Sequence, residues 1–415
     1  TWANINLRIY NSKVEGYKNR GINLSGGAVM DAENLTIDGS YSGATTDEQG
    51  LRMWGGAVAY VKNLTITNNQ KFGLTMWLSD IETVGNVILT GNGRAINVGH
   101  GAAFTSKANI NISGSTDRAI SVSQGLFETW GGTISITNTS GNIFNAWMSN
   151  IIINNLTAIG DGSTAENLMQ LDSSVSNLTN LSISNSGKNG LHFNNSESSI
   201  DNLTSNNNKG DGISAWRSRI TVKNSLISGN LDEGIQLNSG SNLSLESSTI
   251  SSNSDDGIEA YENNYIFVNK STISNNSSEA IAYGEGSFLH VRDSTITGVS
   301  GENAINGGNN AVLKITEDSG STVISTTNSD AIYLRNSHGE IRDGVTVSAT
   351  GNSNYPSGIE LWGSSINIEE GATVSGTQDG GSVVGHMYST IEIEHGSTVS
   401  SPVWCGYDNT TMVAL

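Results

Sequence analysis

Apolar positions recur along the chain in short alternating runs, such as Gly-Leu-Arg-Met-Trp at 50–54, Gly-Leu-Thr-Met-Trp at 73–77, Gly-Ile-Ser-Ala-Trp at 212–216, Gly-Ile-Glu-Ala-Tyr at 257–261 and Gly-Ile-Glu-Leu-Trp at 358–362. Period-two alternation predicts strands with one buried face, and no helical spacing is sustained anywhere. The second and fourth residues of each run point inward and the third and fifth outward. Ile258 and Ala260 are therefore expected inside, Glu259 and Tyr261 outside, with Ile213 and Ala215 set against Ser214 and Trp216 in the same way. A second strand repeats in Leu64 and Ile66, Leu181 and Ile183, Leu226, Ile250, Ile273 and Ile296. Asn92, Asn206, Asn230, Asn253 and Asn276 follow it at a nearly fixed offset, placed to hydrogen-bond from copy to copy and to tolerate the backbone of a tight corner.

The runs are copies of one unit. From Gly21 to a degenerate copy at Val383 there are 362 residues over 15 steps, a mean of about 24. No unit of that size buries its apolar side alone, so stacked units must share a core. Leucine-rich repeats have a similar period, but their leucine-dense consensus and helical half are missing. The period and strand pattern predict a single-stranded right-handed parallel β-helix of about 16 turns over residues 21–401. Residues 1–20 are read as an irregular or capping first turn. After Pro402 the pattern degenerates, and Trp404, Cys405 and Tyr407 begin either a cap or a further turn over 402–415. Longer steps place loops at Ser40–Glu48, Gly320–Asn328 and Gly351–Pro356, which are secondary candidates for contact.

Composition agrees with an all-β chain: 40 Ile outnumber 26 Leu, and only two Pro interrupt the pattern. The net charge is −19, without a Lys/Arg cluster, which argues against nucleic acid and anionic membrane as partners. A single Cys excludes a disulfide framework, and no apolar run is long enough to span a bilayer. The sequence reads as a segment of something longer.

The Gly-Ile-x-x-x … Ser-Thr-Ile-x-x-Asn repeat resembles that of right-handed parallel β-helix proteins with the pectate-lyase-like fold, especially the passengers of autotransporter adhesins and the binding regions of other bacterial surface adhesins. The resemblance spans about residues 20–400. It implies an extracellular, cell-surface location and fixes function weakly, since lyases, hydrolases and adhesins share the solenoid.

The fifth position of the first strand holds Trp54, Trp77, Trp147, Trp216, Tyr261 and Trp362, all in the outward phase. Aromatic rings stack on the apolar faces of sugars and anchor protein interfaces, so this column is the candidate binding surface. Two residues earlier stand Arg52, Thr75, Asn145, Ser214, Glu259 and Glu360, hydrogen-bonding groups of the kind a glycan site needs. The alternative is that a neighbouring segment covers the tryptophans. Before the strand, Asp211, Glu233, Asp256 and Glu279 fall on four consecutive turns, with Asp330 two turns later. Their repulsion would be relieved by calcium, or the column is a solvated corner with diffuse counterions.

Catalytic patterns are incomplete. Gly99-His100-Gly101 precedes Asp255-Asp256 by about seven turns, so the His and the carboxylates cannot meet one bond. Lys209, Arg217 and Arg219 are candidate bases beside the carboxylate column for a lyase, but such bases are few, and the six histidines show no metal spacing. The leading expectation is an adhesin module that binds glycan or host surface glycoprotein through its aromatic face. Homotypic self-association and a carbohydrate-active enzyme are the alternatives.

Overall fold

The computed structural model describes residues 5–40, 47–137, 139, 141–163, 166–352, 355–406 and 410–414. Every regular element among them is a β-strand. The chain divides into two compact units, Thr1–Lys209 and Gly210–Leu415. Each is a right-handed coil of parallel strands, the hand that strand twist imposes on such crossovers.

In the first unit eight first-sheet strands stack from Arg20–Ser25 to Leu191–Asn194, and in the second unit nine stack from Ile213–Trp216 to Val403–Cys405. One such strand per turn gives about 17 turns among the described residues, against the 16 expected. Each turn runs on into a second sheet. There it forms either one long strand bent at a left-handed residue, as in Val29–Asp38 at Asn34, or two short ones, as in Arg219–Lys223 and Leu226–Ser228.

Register is kept residue for residue in the first sheet, while in the second the pairing of Val58–Thr67 with Asp80–Thr90 shifts by one residue between Lys62 and Leu64. Ile213, Ile235, Ile258 and Ile281 lie directly over one another and are fully buried. In the first unit Phe104, Phe127 and Phe144 fill the interior, the first two stacked at 4.9 Å and the last pair edge-on at 5.4 Å. Each buried side chain of this size contributes roughly 1.5–3 kcal/mol. Gly234 shows why the repeat opens on glycine: a Cβ there would come within 2.4 Å of Ile250 Cγ2 and 2.6 Å of the Gly257 carbonyl oxygen.

Several expectations are corrected. Leu226 faces solvent and Ile227 occupies the core position opposite Ile250, because the strand is offset by one residue and a one-residue offset exchanges the faces. The asparagine of the ladder in the preceding turn is Asn208, fully buried, and not Asn206. Residues expected as a loop at Gly320–Asn328 include the strand Val323–Thr327, which pairs with Thr346–Thr350 and buries Ile324.

At the N-terminal end, Asn6–Glu15 is a regular strand in register with Val29–Asp38. At the C-terminal end, Val403–Cys405 and Thr411–Ala414 pair with the strands of the preceding turn. Tyr407, positions 41–46 of the first expected loop and positions 353–354 of the third lie outside the described residues.

Candidate functional site

Outward phase and exposure coincide at the fifth strand position. Trp54, Trp77, Trp147, Trp216 and Tyr261 expose 37–46% of their surface, and Trp362 is half-buried. The strands bring Trp54 and Trp77 side by side on adjacent turns. The other members stand apart: Gly99 and Ser123 separate Trp77 from Trp147, and Asn238 separates Trp216 from Tyr261.

Trp54 and Trp77 share one cation. The Arg52 guanidinium lies 5.7 Å from the Trp54 ring centre and 5.9 Å from that of Trp77, within the reach of a cation–π contact. Arg52 is half-buried, burial and then Arg20 lower its affinity for a proton, and its Nε is buried without a hydrogen-bond partner among the described residues. On the far side, Trp77 lies against the next turn at Gly99, where a Cβ would come within 2.7 Å of the indole. Glycine at that point of the column gives the ring its resting place, and His100 stands edge-on to it at 6.4 Å.

The neighbouring polar column is only partly available. Arg52, Asn145, Glu259 and Glu360 are half-buried, whereas Thr75 and Ser214 are buried. Asn97 Nδ2 donates to Thr75 Oγ1 at 3.2 Å, and Ser214 hydrogen-bonds Asp211. Polar groups of the adjoining turn and of the segment leading into the strand thus engage its first half, so outward-facing is not the same as exposed.

In the second unit Trp362 is held on two sides. Its Nε1 donates to Glu360 Oε1 at 2.6 Å, and His386, in register on the following turn, stacks on it at 4.4 Å. Trp362, Tyr333, Arg335, Asn336, Gly363, Met387 and Tyr388 line a cleft of about 630 Å³. Sequence reasoning missed Arg335 and His386, although both occupy the fifth-strand position; the signal was their register and not their residue type.

The carboxylate column is not the solvated corner expected. Asp211, Glu233 and Asp256 are buried and Glu279 is half-buried, because the corner that carries them closes over the start of the strand. Nor do the four form one site. Asp211 and Glu233 meet with Asp232, one oxygen from each lying within 4.8 Å of the others. Asp256 pairs with Glu279 and accepts the Glu279 backbone N–H at 2.9 Å. Burial pushes Asp211, Glu233 and Asp256 upward in pKa, and hydrogen bonding to Asp211 raises Glu233 further. Asp330 behaves likewise, pushed up to about 8 by burial and then by its hydrogen bond to Glu360.

The enzyme-like motifs fall in different units. His100 belongs to the first unit and shares a hydrogen bond of 3.0 Å with Gln124, while Asp255 and Asp256 belong to the second. Lys209, Arg217 and Arg219 are exposed.

Residues 167–319 match the family described as the right-handed β-helix region. No curated protein matches the chain. Among solved structures, the chain is similar to the Vag8–C1 inhibitor complex at 11% identity and a TM-score of 0.48, with 100% of both chains covered. It is also similar to the Agl-KA catalytic domain, at 14% identity and a TM-score of 0.41, over 87% of this chain and 63% of that one. A third is the A-module of the mannuronan C-5 epimerase AlgE6 of Azotobacter vinelandii, at 14% identity and a TM-score of 0.32, over 94% and 91% of the two chains. At such identities none of them assigns a role to a residue here.

Proposed function

We propose that this chain is a bacterial cell-surface adhesin module that binds glycan, free or on a host glycoprotein, through the exposed tryptophans of its first sheet. The observation that carries this reading is the Trp54–Trp77 pair, two partly exposed indoles in register on adjacent turns with Arg52 against both. Large exposed aromatic rings are unfavourable in water unless used, and rings fixed by the strands lose little freedom on binding. An indole offers a flat apolar face to a sugar ring, while Arg52 offers donors that hydroxyl or carboxylate oxygens can accept. A shallow, strand-borne platform of this kind suits a polymer lying on the surface. Such a module acts outside the cell.

The test is a glycan-array screen of the wild type beside a Trp54→Ala/Trp77→Ala double variant. Two lost stacking contacts of about 0.5–1.5 kcal/mol each correspond to a loss of affinity of about fivefold to about 150-fold. A folded double variant that binds the same glycans as tightly as the wild type removes the proposal. Sedimentation of the wild type over a range of concentrations separates glycan binding from self-association through the same rings.

A further inference from the structure

Three carboxylates converge where the second unit begins its first two turns. Asp211 comes from one turn and Asp232 and Glu233 from the next, and the Gly212 N–H, which donates to the Glu233 carbonyl oxygen at 3.1 Å, fixes the two segments against each other. One oxygen from each side chain lies within 4.8 Å of the others. Asp211 and Glu233 expose only 3% and 6% of their surface, and Asp232 is exposed at the rim.

A proton shared between Asp211 and Glu233 satisfies one oxygen of each and leaves a second problem in place. Glu233 Oε2 is buried and meets no hydrogen-bond donor among the described residues. An orphaned carboxylate oxygen at such a position loses its hydration without compensation. Asp232 adds a third acidic group that the shared proton does not reach. A hard divalent cation answers both, because it takes oxygen ligands only and offsets the charge of all three groups.

We infer that Asp211, Asp232 and Glu233 form a calcium site that ties the first two turns of the second unit together. Two oxygens bound to one Ca²⁺ at about 2.3–2.6 Å lie at most about 5 Å apart, which the triad satisfies. The cage is closed on the Asp211 and Glu233 side and open at Asp232, so water completes the shell. That half-open arrangement suits calcium, with its loose geometry, better than magnesium, which demands a near-octahedral one. At the corresponding corner of the next turns, Asp256 with Glu279, no third His, Cys, Asp or Glu among the described residues joins the pair, and that corner is not part of the site. The inference is independent of the glycan reading, since the triad uses none of the aromatic positions.

The experiment uses the full chain stripped of metal by a chelator and then titrated with CaCl₂, followed by thermal unfolding and, separately, by terbium luminescence. With about 1 mM CaCl₂, in the range that weak extracellular calcium modules need, the wild type should melt a few degrees higher; MgCl₂ at the same concentration should give a smaller shift. Glu233→Gln and Asp211→Asn should lose the calcium-dependent shift, and exposed Asp80→Asn should keep it. Asp232→Asn alters only an exposed group and serves if the buried variants unfold; it should bind terbium at least tenfold more weakly. The inference is overturned if calcium leaves the wild type's melting and terbium signal unchanged, or if Glu233→Gln and Asp232→Asn respond as the wild type does.

Discussion

Leu78, His100, Gln124, Met148, Arg217, Glu262, Glu285 and Met387 each follow a first-sheet strand and adopt φ between 48° and 71°. This is the left-handed region, which costs a residue with a side chain roughly 1–2 kcal/mol. Other turns fill the same corner with Asn195, Asn309 or Asn336, residues that tolerate it. Among the described residues 17 of the chain's 51 asparagines adopt such a φ, at this corner or another. Leu78 has no compensating burial, being 62% exposed. Leu78→Asn is therefore expected to raise the melting temperature by a few degrees, measured by calorimetry, while glycan binding at Trp77 is retained. Unchanged or lowered melting would show that the leucine side chain contributes something its exposure does not reveal.

At the scale of the element, the asparagine ladder joins turns side chain to side chain. Asn230 Nδ2 and backbone N–H both donate to Asn253 Oδ1, at 2.9 and 3.1 Å, and Asn253 repeats the pair of bonds to Asn276 at 2.9 and 3.2 Å. All three are buried, so each link compensates groups that have no water. Asn253→Ala orphans partners on both sides and should cost about 2–3 kcal/mol in chemical denaturation. Asn206→Ala, at the partly exposed position that sequence spacing singled out, should change stability by less than about 0.5 kcal/mol. Equal effects of the two would contradict the ladder as observed. The misplaced asparagine has a simple origin: Asn206, Asn207 and Asn208 are consecutive, and spacing alone does not choose the one that stands two residues past the strand's end, as Asn230, Asn253 and Asn276 do.

For the whole molecule, acidity and burial together set the pH response. The chain carries 39 acidic against 20 basic side chains, and some of its carboxyls are out of water. Asp330 is the group to follow: its folded pKa of about 8 lies above its ordinary 3.8, so the folded state holds a proton that the unfolded state has released. Its contribution to stability is complete below pH of about 4, declines as the pH rises and is gone above about 8. The wild type should accordingly melt several degrees higher at pH 5 than at pH 9. Asp330→Asn, which keeps a donor toward Glu360 at every pH, should flatten that slope. A slope identical in the variant would place the pH dependence elsewhere.

Sequence alone determined the repeat, the first-sheet strands and the phase of their side chains, because alternation is a local property of extended backbone and the period follows from the copies themselves. It put the tryptophans on the outside for that reason, and they are there. What lies above and below a residue is set by the neighbouring turn, and that only the tertiary structure decided. It buried Thr75 and Ser214 although they point outward, set Ile227 in place of Leu226, placed Gly99 under the Trp77 ring and His386 on Trp362, and gathered Asp211, Asp232 and Glu233 while leaving Asp256 to Glu279. Facing outward is fixed by the pleat; being exposed, paired or orphaned depends on contacts between residues more than twenty positions apart.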